Sequence, residues 1–333
     1  MNSRMLENRF ILGGIIGIAY GDAYGMPVEM FTQEEIYHKY GYISKMLPGD
    51  PENDISKGFP AGSVTDDTMN SIFVLEMLRE NGNKADPVNF LNKLRYWAAH
   101  SENSKTVIGP STRKAIQLID EGISISETGK TGTTNGASMK IVPIGLAGNP
   151  EQPEVLADEV EKMCLPTHNT TYAISGACAI AGAVCLARSG ESSVDQIVEF
   201  AVEMAERGSM RGFPTASPSV AERIRLACRI VDNADSDQIL LKQLYQIIGT
   251  SVITGESVPV AVALFKASGG DPVKCARYAA NIGGDTDTIG AMACGICGSY
   301  SGADAFPSEE VQLIESINNI SFVELAACLV ADS

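Results

Sequence analysis

Two short acidic patches stand near opposite ends of the chain. Thr65-Asp66-Asp67-Thr68 and Asp285-Thr286-Asp287-Thr288 each offer two carboxylates and two hydroxyls within four residues. Hard cations such as Mg²⁺, Mn²⁺ or Ca²⁺ bind this kind of donor, oxygen carrying negative charge. Either patch alone also reads as a helix N-cap, where Asp and Thr are favoured for their hydrogen bonds to free backbone N–H groups. Two similar patches, the second preceded by Gly283-Gly284, favour the cation reading, because a glycine pair lets backbone bend closely around a ligand.

Three further segments could complete a site. Gly21-Asp22-Ala23-Tyr24-Gly25-Met26-Pro27-Val28-Glu29 ends a helix on glycines and then delivers a carboxylate. Thr131 to Lys140 is rich in small residues that can turn backbone N–H groups toward an anion, although it lacks the spacing of a P-loop. Pro166-Thr167-His168-Asn169 sets a histidine at a helix start, where its ring could donate to a phosphate or a sugar hydroxyl. Cys294 and Cys297 form a C-x-x-C without a matching second pair, so packing is the better reading than zinc or redox work.

These residues need a scaffold, and the pattern is helical almost throughout. Asp86-Pro87 and Asp271-Pro272 each place a cap before a proline at the first helical position. Ser193 with Gln196, and Ser321 with Glu324, have capping-box spacing. Apolar residues recur at three and four, as in Met69, Ile72, Leu75 and Leu78, or Ile239, Leu240, Leu244 and Ile247. The spacing predicts helices near 7–21, 67–81, 87–100, 110–122, 151–163, 169–188, 193–207, 218–232, 237–248, 257–267, 272–281, 287–299, 308–317 and 322–331. Segments 41–64, 124–140 and 207–217 read as loops. With no strand alternation and no linker, the expectation is all-α, one domain over residues 1–333.

Composition bounds the partners. The 333 residues are 44% apolar and 20% charged, an ordinary globular balance. The formal charge of −16 argues against nucleic acid and against anionic membranes. It leaves room for a phosphorylated small molecule bound through metals or backbone N–H groups. The start MNSRMLENRFILGG lacks a secretory layout, and the eight cysteines are scattered in apolar surroundings. Both point to the cytoplasm and to free thiols. The uncharged run from Leu165 to Ala187 reads as a core helix rather than a membrane span.

Taken together and in order, Gly21-Asp22 with Glu29, Thr65-Asp66-Asp67-Thr68, Thr134-Asn135-Gly136-Ala137, Pro166-Thr167-His168 and Gly283-Gly284-Asp285-Thr286-Asp287-Thr288-Ile289-Gly290 resemble the ADP-ribosylglycohydrolase family. The likeness runs from residue 8 to about 300. Its most specific part is the pairing of the Gly-Gly-Asp-Thr-Asp-Thr-Ile element with the upstream Thr-Asp-Asp-Thr. This family includes dinitrogenase reductase-activating glycohydrolase and the ADP-ribosyl-acceptor hydrolases, and the resemblance is strongest to bacterial members whose substrate is uncharacterised.

The resemblance implies a compact orthogonal multi-helix bundle with a central cleft and two divalent ions, Mg²⁺ or Mn²⁺. The implied metal ligands are Thr65, Asp66, Asp67, Asp285, Asp287 and Thr288. Glu29, Asp66, Asp67 and Asp287 are the implied catalytic carboxylates, with the general base among Glu29, Asp66 and Asp67. Asn135, Gly136, Ala137 and Ser138 would hold a diphosphate, and His168 would line the same cleft. Lys140 stands where many members carry Arg, and residues that stack on adenine have no assignable position. The expected substrate is an ADP-ribosylated protein or small molecule. The alternative is an N-glycosidase acting on a small nucleoside or ribosylated metabolite with the same metals. The expected assembly is a monomer or small homo-oligomer.

Overall fold

The computed structural model describes residues 3–100 and 109–329. Its first third holds α1 (Ser3–Gly25), α2 (Gln33–Tyr40), α3 (Asp66–Glu80) and α4 (Pro87–His100). The middle holds α5 (Pro110–Asp120), α6 (Ile125–Thr128), α7 (Val142–Ala147), α8 (Pro153–Cys164), α9 (Thr171–Ala187) and α10 (Val194–Gly208). The remainder holds α11 (Val220–Asn233), α12 (Asp237–Gln243), α13 (Thr254–Ser268), α14 (Pro272–Ile282), α15 (Thr286–Ser301), α16 (Ser308–Asn318) and α17 (Phe322–Ala327). Among the described residues there is no strand, only isolated bridges pairing Thr134 with Ile253 and Thr170 with Phe213. The all-α expectation holds.

One helix pair organises the molecule. Gly13, Gly17, Gly21 and Gly25 recur every four residues along α1 and make a stripe without side chains. That stripe lies against Gly298, Cys294, Gly290 and Thr286 of α15, in that order. The reversed order makes the helices antiparallel, and the absence of side chains lets their backbones touch. A β-carbon on Gly17 would sit 2.1 Å from the carbonyl oxygen of Cys294. This pairing brings the C-terminal end of α1, which carries Asp22 and leads through a short turn to Glu29, onto the N-terminus of α15, where Asp285 and Asp287 lie.

The core around this pair is continuous and built from small and β-branched residues. Helices α9, α13 and α15 are buried on nearly every side, so their sequences are apolar or small all round rather than striped. The uncharged run read as a core helix is therefore one. The stretch Asn8–Val28 is also apolar and long enough to span a bilayer, but 94% of its most apolar window is buried inside the fold. All eight cysteines are buried free thiols.

The helix boundaries differ from expectation at identifiable places. The helix expected over 237–248 runs regularly only to Gln243, then widens into a π-turn, Leu244–Ile248. The face read from Ile239 and Ile247 is consequently wrong. Both are exposed, while Leu241 and Ile248 join Leu240 and Leu244 in the core. Helix α13 begins at Thr254, earlier than expected, and carries Pro259 inside it. The short helices α2, α6 and α7 were not expected. In α2 only Ile36 is buried, too little for an apolar period, although Thr32 and Glu35 form a full capping box. Of the helix expected over 322–331, residues 330 and 331 lie outside the described residues.

Candidate functional site

The first acidic patch is fixed by a carboxylate that precedes it by more than forty residues. Asp22, fully buried on α1, accepts hydrogen bonds from the Thr65 N–H (3.0 Å), the Thr68 N–H (3.2 Å) and the Thr68 hydroxyl (2.5 Å). These satisfy free donors at the start of α3, the service a helix N-terminus requires of an anion. Thr65 is the N-cap, and its hydroxyl donates to Asp67 Oδ2 at 3.1 Å. The Thr288 hydroxyl donates to the same oxygen at 3.2 Å, tying the second patch to the first.

The second patch is carried by the glycine pair. Gly283 and Gly284 both have positive φ, 82° and 79°, which other residues adopt only under strain. The Gly284 N–H donates to the Phe31 carbonyl, and Met30 N–H donates to the Gly284 carbonyl at 2.7 Å. Met30 itself has φ 64°, a strained value for a non-glycine residue, and it lines the cleft. This exchange clamps Glu29 beside the start of α15. Glu29, Asp285 and Asp287 each present a carboxylate oxygen within 4.8 Å of the other two. Asn135 donates to Asp285 Oδ2 and to the Ser257 hydroxyl, and its own N–H donates to the Val252 carbonyl.

Packing this many carboxylates together raises their pKa values. Burial, then the Asp287 charge, pushes Asp22 up to about 7. Burial holds Asp285 up at about 6 and, with the Asp285 charge, Asp287 at about 7. Glu29, Asp66 and Asp67 are raised well above the carboxylate range by burial first and the Asp287 charge second. Two oxygens in this cluster, Asp67 Oδ1 and Asp287 Oδ1, are buried without a hydrogen-bond partner. A buried carboxylate oxygen is costly in that condition, and a bound cation removes the cost.

A cleft of about 210 Å³ opens over the cluster. Glu29, Asp66, Asp67, Asp285, Asp287 and Thr288 form its floor, and Asn135, Gly136 and His168 form one wall. His168 stands over Gly136 so closely that a β-carbon there would lie 2.8 Å from its Cε1. Burial first, and the Lys140 charge second, hold the His168 pKa well below the ordinary value, so the ring is neutral. The structure thus brings together on the cleft most of the residues singled out in the sequence. Thr65 sits behind the floor as a cap. Ala137 and Ser138 do not line the cleft. Both are fully buried, and the Ser138 N–H is used by the Asn135 carbonyl at 2.7 Å.

Several contributors escaped the sequence reading. Asp22 was seen only as part of a motif, and its role depends on Thr65 and Thr68, which local spacing cannot reveal. Ser111, Thr112, Met30, Met139 and Val252 also line the cleft. Ser111 and Thr112 lie at the start of α5, a helix whose sequence shows nothing but ordinary amphipathic spacing.

Comparison with known proteins gives a consistent picture. The family model for ADP-ribosylglycohydrolase matches residues 2–331. The uncharacterized protein YegU of Escherichia coli K12 is 36% identical over 325 residues, covering 97% of both chains. The ADP-ribosyl-dinitrogen reductase glycohydrolase of Rhodospirillum rubrum is 30% identical over 151 residues, covering 44% of this chain and 48% of its own. ADP-ribosylhydrolase ARH3 of Homo sapiens is 25% identical over 336 residues, covering 91% of this chain and 88% of its own. A solved ADP-ribosylglycohydrolase-related protein complex superposes with a TM-score of 0.70 at 22% identity, covering 98% of each chain, a likeness of fold.

Proposed function

The chain belongs to the ADP-ribosylglycohydrolase family and is a hydrolase of that type, and from this premise we propose that it cleaves the bond at a ribose anomeric carbon of an ADP-ribosylated substrate, with two divalent ions, Mg²⁺ or Mn²⁺, at the acidic cluster. The observation that carries the metal reading is the pair of orphaned oxygens, Asp67 Oδ1 and Asp287 Oδ1, within an all-oxygen donor set. Thr65, Asp66, Asp67, Asp285, Asp287 and Thr288 would hold the ions. The four carboxylates among them supply four negative charges, which two divalent ions neutralise.

Hydrolysis at an anomeric carbon builds positive charge on the ribose ring and negative charge on the leaving atom. When bound, the ions supply Lewis acidity toward ribose hydroxyls and water at neutral pH. The chain supplies the rest. The carboxylate floor faces the ring and offsets its developing charge. Glu29 is half-buried on a loop rather than locked into a helix start, so it is the carboxylate placed to accept a proton from the attacking water. Asn135 orients Asp285, and the Gly136–His168 wall positions the remainder of the substrate. Ala137 and Ser138 act in this scheme by shaping the turn behind that wall.

The cleft's volume of about 210 Å³ supports a second reading, a small nucleoside or ribosylated metabolite as substrate, because pockets for larger ligands usually exceed about 300 Å³. We place the protein in the cytoplasm as one helical domain, a monomer or small homo-oligomer acting apart from nucleic acid and membranes. Its continuous core supports the single domain, and its net charge of −16 supports the lack of nucleic-acid and anionic-membrane partners.

The test is hydrolysis after metal depletion. EDTA-treated and Mg²⁺- or Mn²⁺-restored protein is incubated with ADP-ribosyl-arginine, an ADP-ribosyl-serine peptide and a nucleoside set. Metal-dependent release of ADP-ribose supports the first reading. Release of ribose from nucleosides alone supports the second. Turnover unchanged by metal removal would overturn the metal site.

A further inference from the structure

Behind the His168 wall lies a buried cation that does not itself line the cleft. Lys140 is 2% exposed. Its ammonium donates to the Gly136 carbonyl at 2.9 Å and to the Thr167 hydroxyl at 3.4 Å, and it stands 5.2 Å from the centre of the Phe90 ring. The Thr167 hydroxyl lies 2.8 Å from His168 Nδ1. His168 Nε2 lies 2.9 Å from the Thr134 hydroxyl, which lies 3.1 Å from the Ser111 hydroxyl at the cleft. These five side chains form one continuous chain of hydrogen bonds from the core to the cleft wall.

We infer that Lys140 is a positioning residue that sets the direction of this chain, fixing His168 as the Nε2–H tautomer and leaving a hydroxyl proton at Thr134 and Ser111 to be donated toward the substrate. The argument is one of donor and acceptor counting. An ammonium has three donors and no acceptor, so the Thr167 oxygen must accept from Lys140. The Thr167 oxygen could accept a second bond, but an Nδ1–H donating to it would leave the buried Thr167 proton without its acceptor, so the arrangement that satisfies both groups directs that proton to a bare His168 Nδ1. A neutral imidazole carries its proton on the other nitrogen, so Nε2–H donates to the Thr134 oxygen. Thr134 in turn has a proton left for Ser111 or for an acceptor in the cleft. The wall therefore presents donors, which suits a substrate bearing acceptor oxygens such as phosphate or sugar oxygens. Without the cation the whole chain could run backward, from Ser111 to Thr167, and present acceptors instead.

The tautomer is independent of any assumption about activity, whereas its consequence for the substrate rests on the glycohydrolase reading. The chain has only three histidines, and His38 and His100 are exposed, so the buried ring is assignable by ¹⁵N NMR. In the wild-type protein, two-bond ¹H–¹⁵N correlations are expected to show His168 as Nε2–H with a bare Nδ1. An Nδ1–H form or a cationic ring overturns the inference. Lys140→Met should mix the two tautomers, and Lys140→Arg should restore the single form. A folded Lys140→Met protein with an unchanged pattern also overturns it. Thr167→Val, which leaves Lys140 in place, should move the Nδ1 resonance downfield as its hydrogen bond is lost, and an unmoved resonance counts against the chain. In turnover, Lys140→Met should raise KM about two- to tenfold, the worth of one hydrogen bond, with a smaller change in kcat. A tautomer change with KM untouched would overturn the substrate role alone.

Discussion

A β-carbon on Gly21 would stand 2.0 Å from the carbonyl oxygen of Gly290. The contact is backbone against backbone, so no side-chain rotation can relieve it. It also sits one residue before Asp22 and three residues after Asp287, where the two halves of the acidic cluster meet. Gly21→Ala must therefore separate α1 from α15. Overpacking of this kind costs about 1–3 kcal/mol, and here it also displaces both carboxylates. The expected result is a lower Tm together with weaker Mn²⁺ binding, read by thermal melts and isothermal titration. A variant with wild-type Tm and metal affinity would show that the close approach is not required.

Asp22 is predicted to matter as much as any residue on the cleft, although it does not line it. Asp22→Asn replaces one of two acceptor oxygens with an amino group facing the Thr65 and Thr68 donors. Leaving such donors unsatisfied costs about 1–3 kcal/mol each. The start of α3 should lose its anchor, so metal affinity and turnover should fall even where the variant remains folded by circular dichroism. Metal affinity equal to wild type would reduce Asp22 to a packing role.

The two acidic patches were legible in the sequence because each is local, a run of four residues that caps and opens a helix. Their meeting was not legible from spacing. It depends on the register of α1 against α15, and the glycines that set that register are spaced by four on α1 but share their face of α15 with Cys294 and Thr286. The helical class was readable because most helices carry a cap and an apolar period. Helix α2, with one buried residue, and the π-turn after Gln243 lack that period, and both were missed. The cleft wall was half legible. Asn135, Gly136 and His168 stood out by type, whereas Ser111 reaches the site only through the placement of α5.

Asp287→Asn separates the cost of the carboxylates from their use. In metal-free protein the substitution removes a buried charge that raises the pKa of Asp22, Glu29, Asp66 and Asp67, so Tm should rise. With saturating Mg²⁺ it removes a ligand, so Tm should fall below wild type, because binding to the folded state alone stabilises it. Bound metal, counted by mass spectrometry, should drop below two ions per chain. Turnover should fall by at least roughly 100-fold, beyond the range typical of groups that only orient ligands. Full turnover and metal content in this variant would remove the basis of the metal site.

The pH dependence of stability should reverse on metal removal. Asp22 and Asp287 have ordinary values of 3.8 when unfolded and about 7 in the folded, metal-free chain. Between those limits the folded state holds more protons than the unfolded state, so stability must fall as pH rises. Below the lower limit both states are protonated and the penalty vanishes. Above the upper limit it is complete. Bound cations replace those protons and favour the ionised carboxylates, so saturating Mg²⁺ should make stability rise with pH over the same window. Thermal melts at pH 5 and pH 7.5, with EDTA or with Mg²⁺, check both signs. An EDTA-treated protein whose Tm rises from pH 5 to 7.5 would mean that the cluster does not hold its protons in the folded state, and that the crowding of Asp22 and Asp287 is relieved without metal.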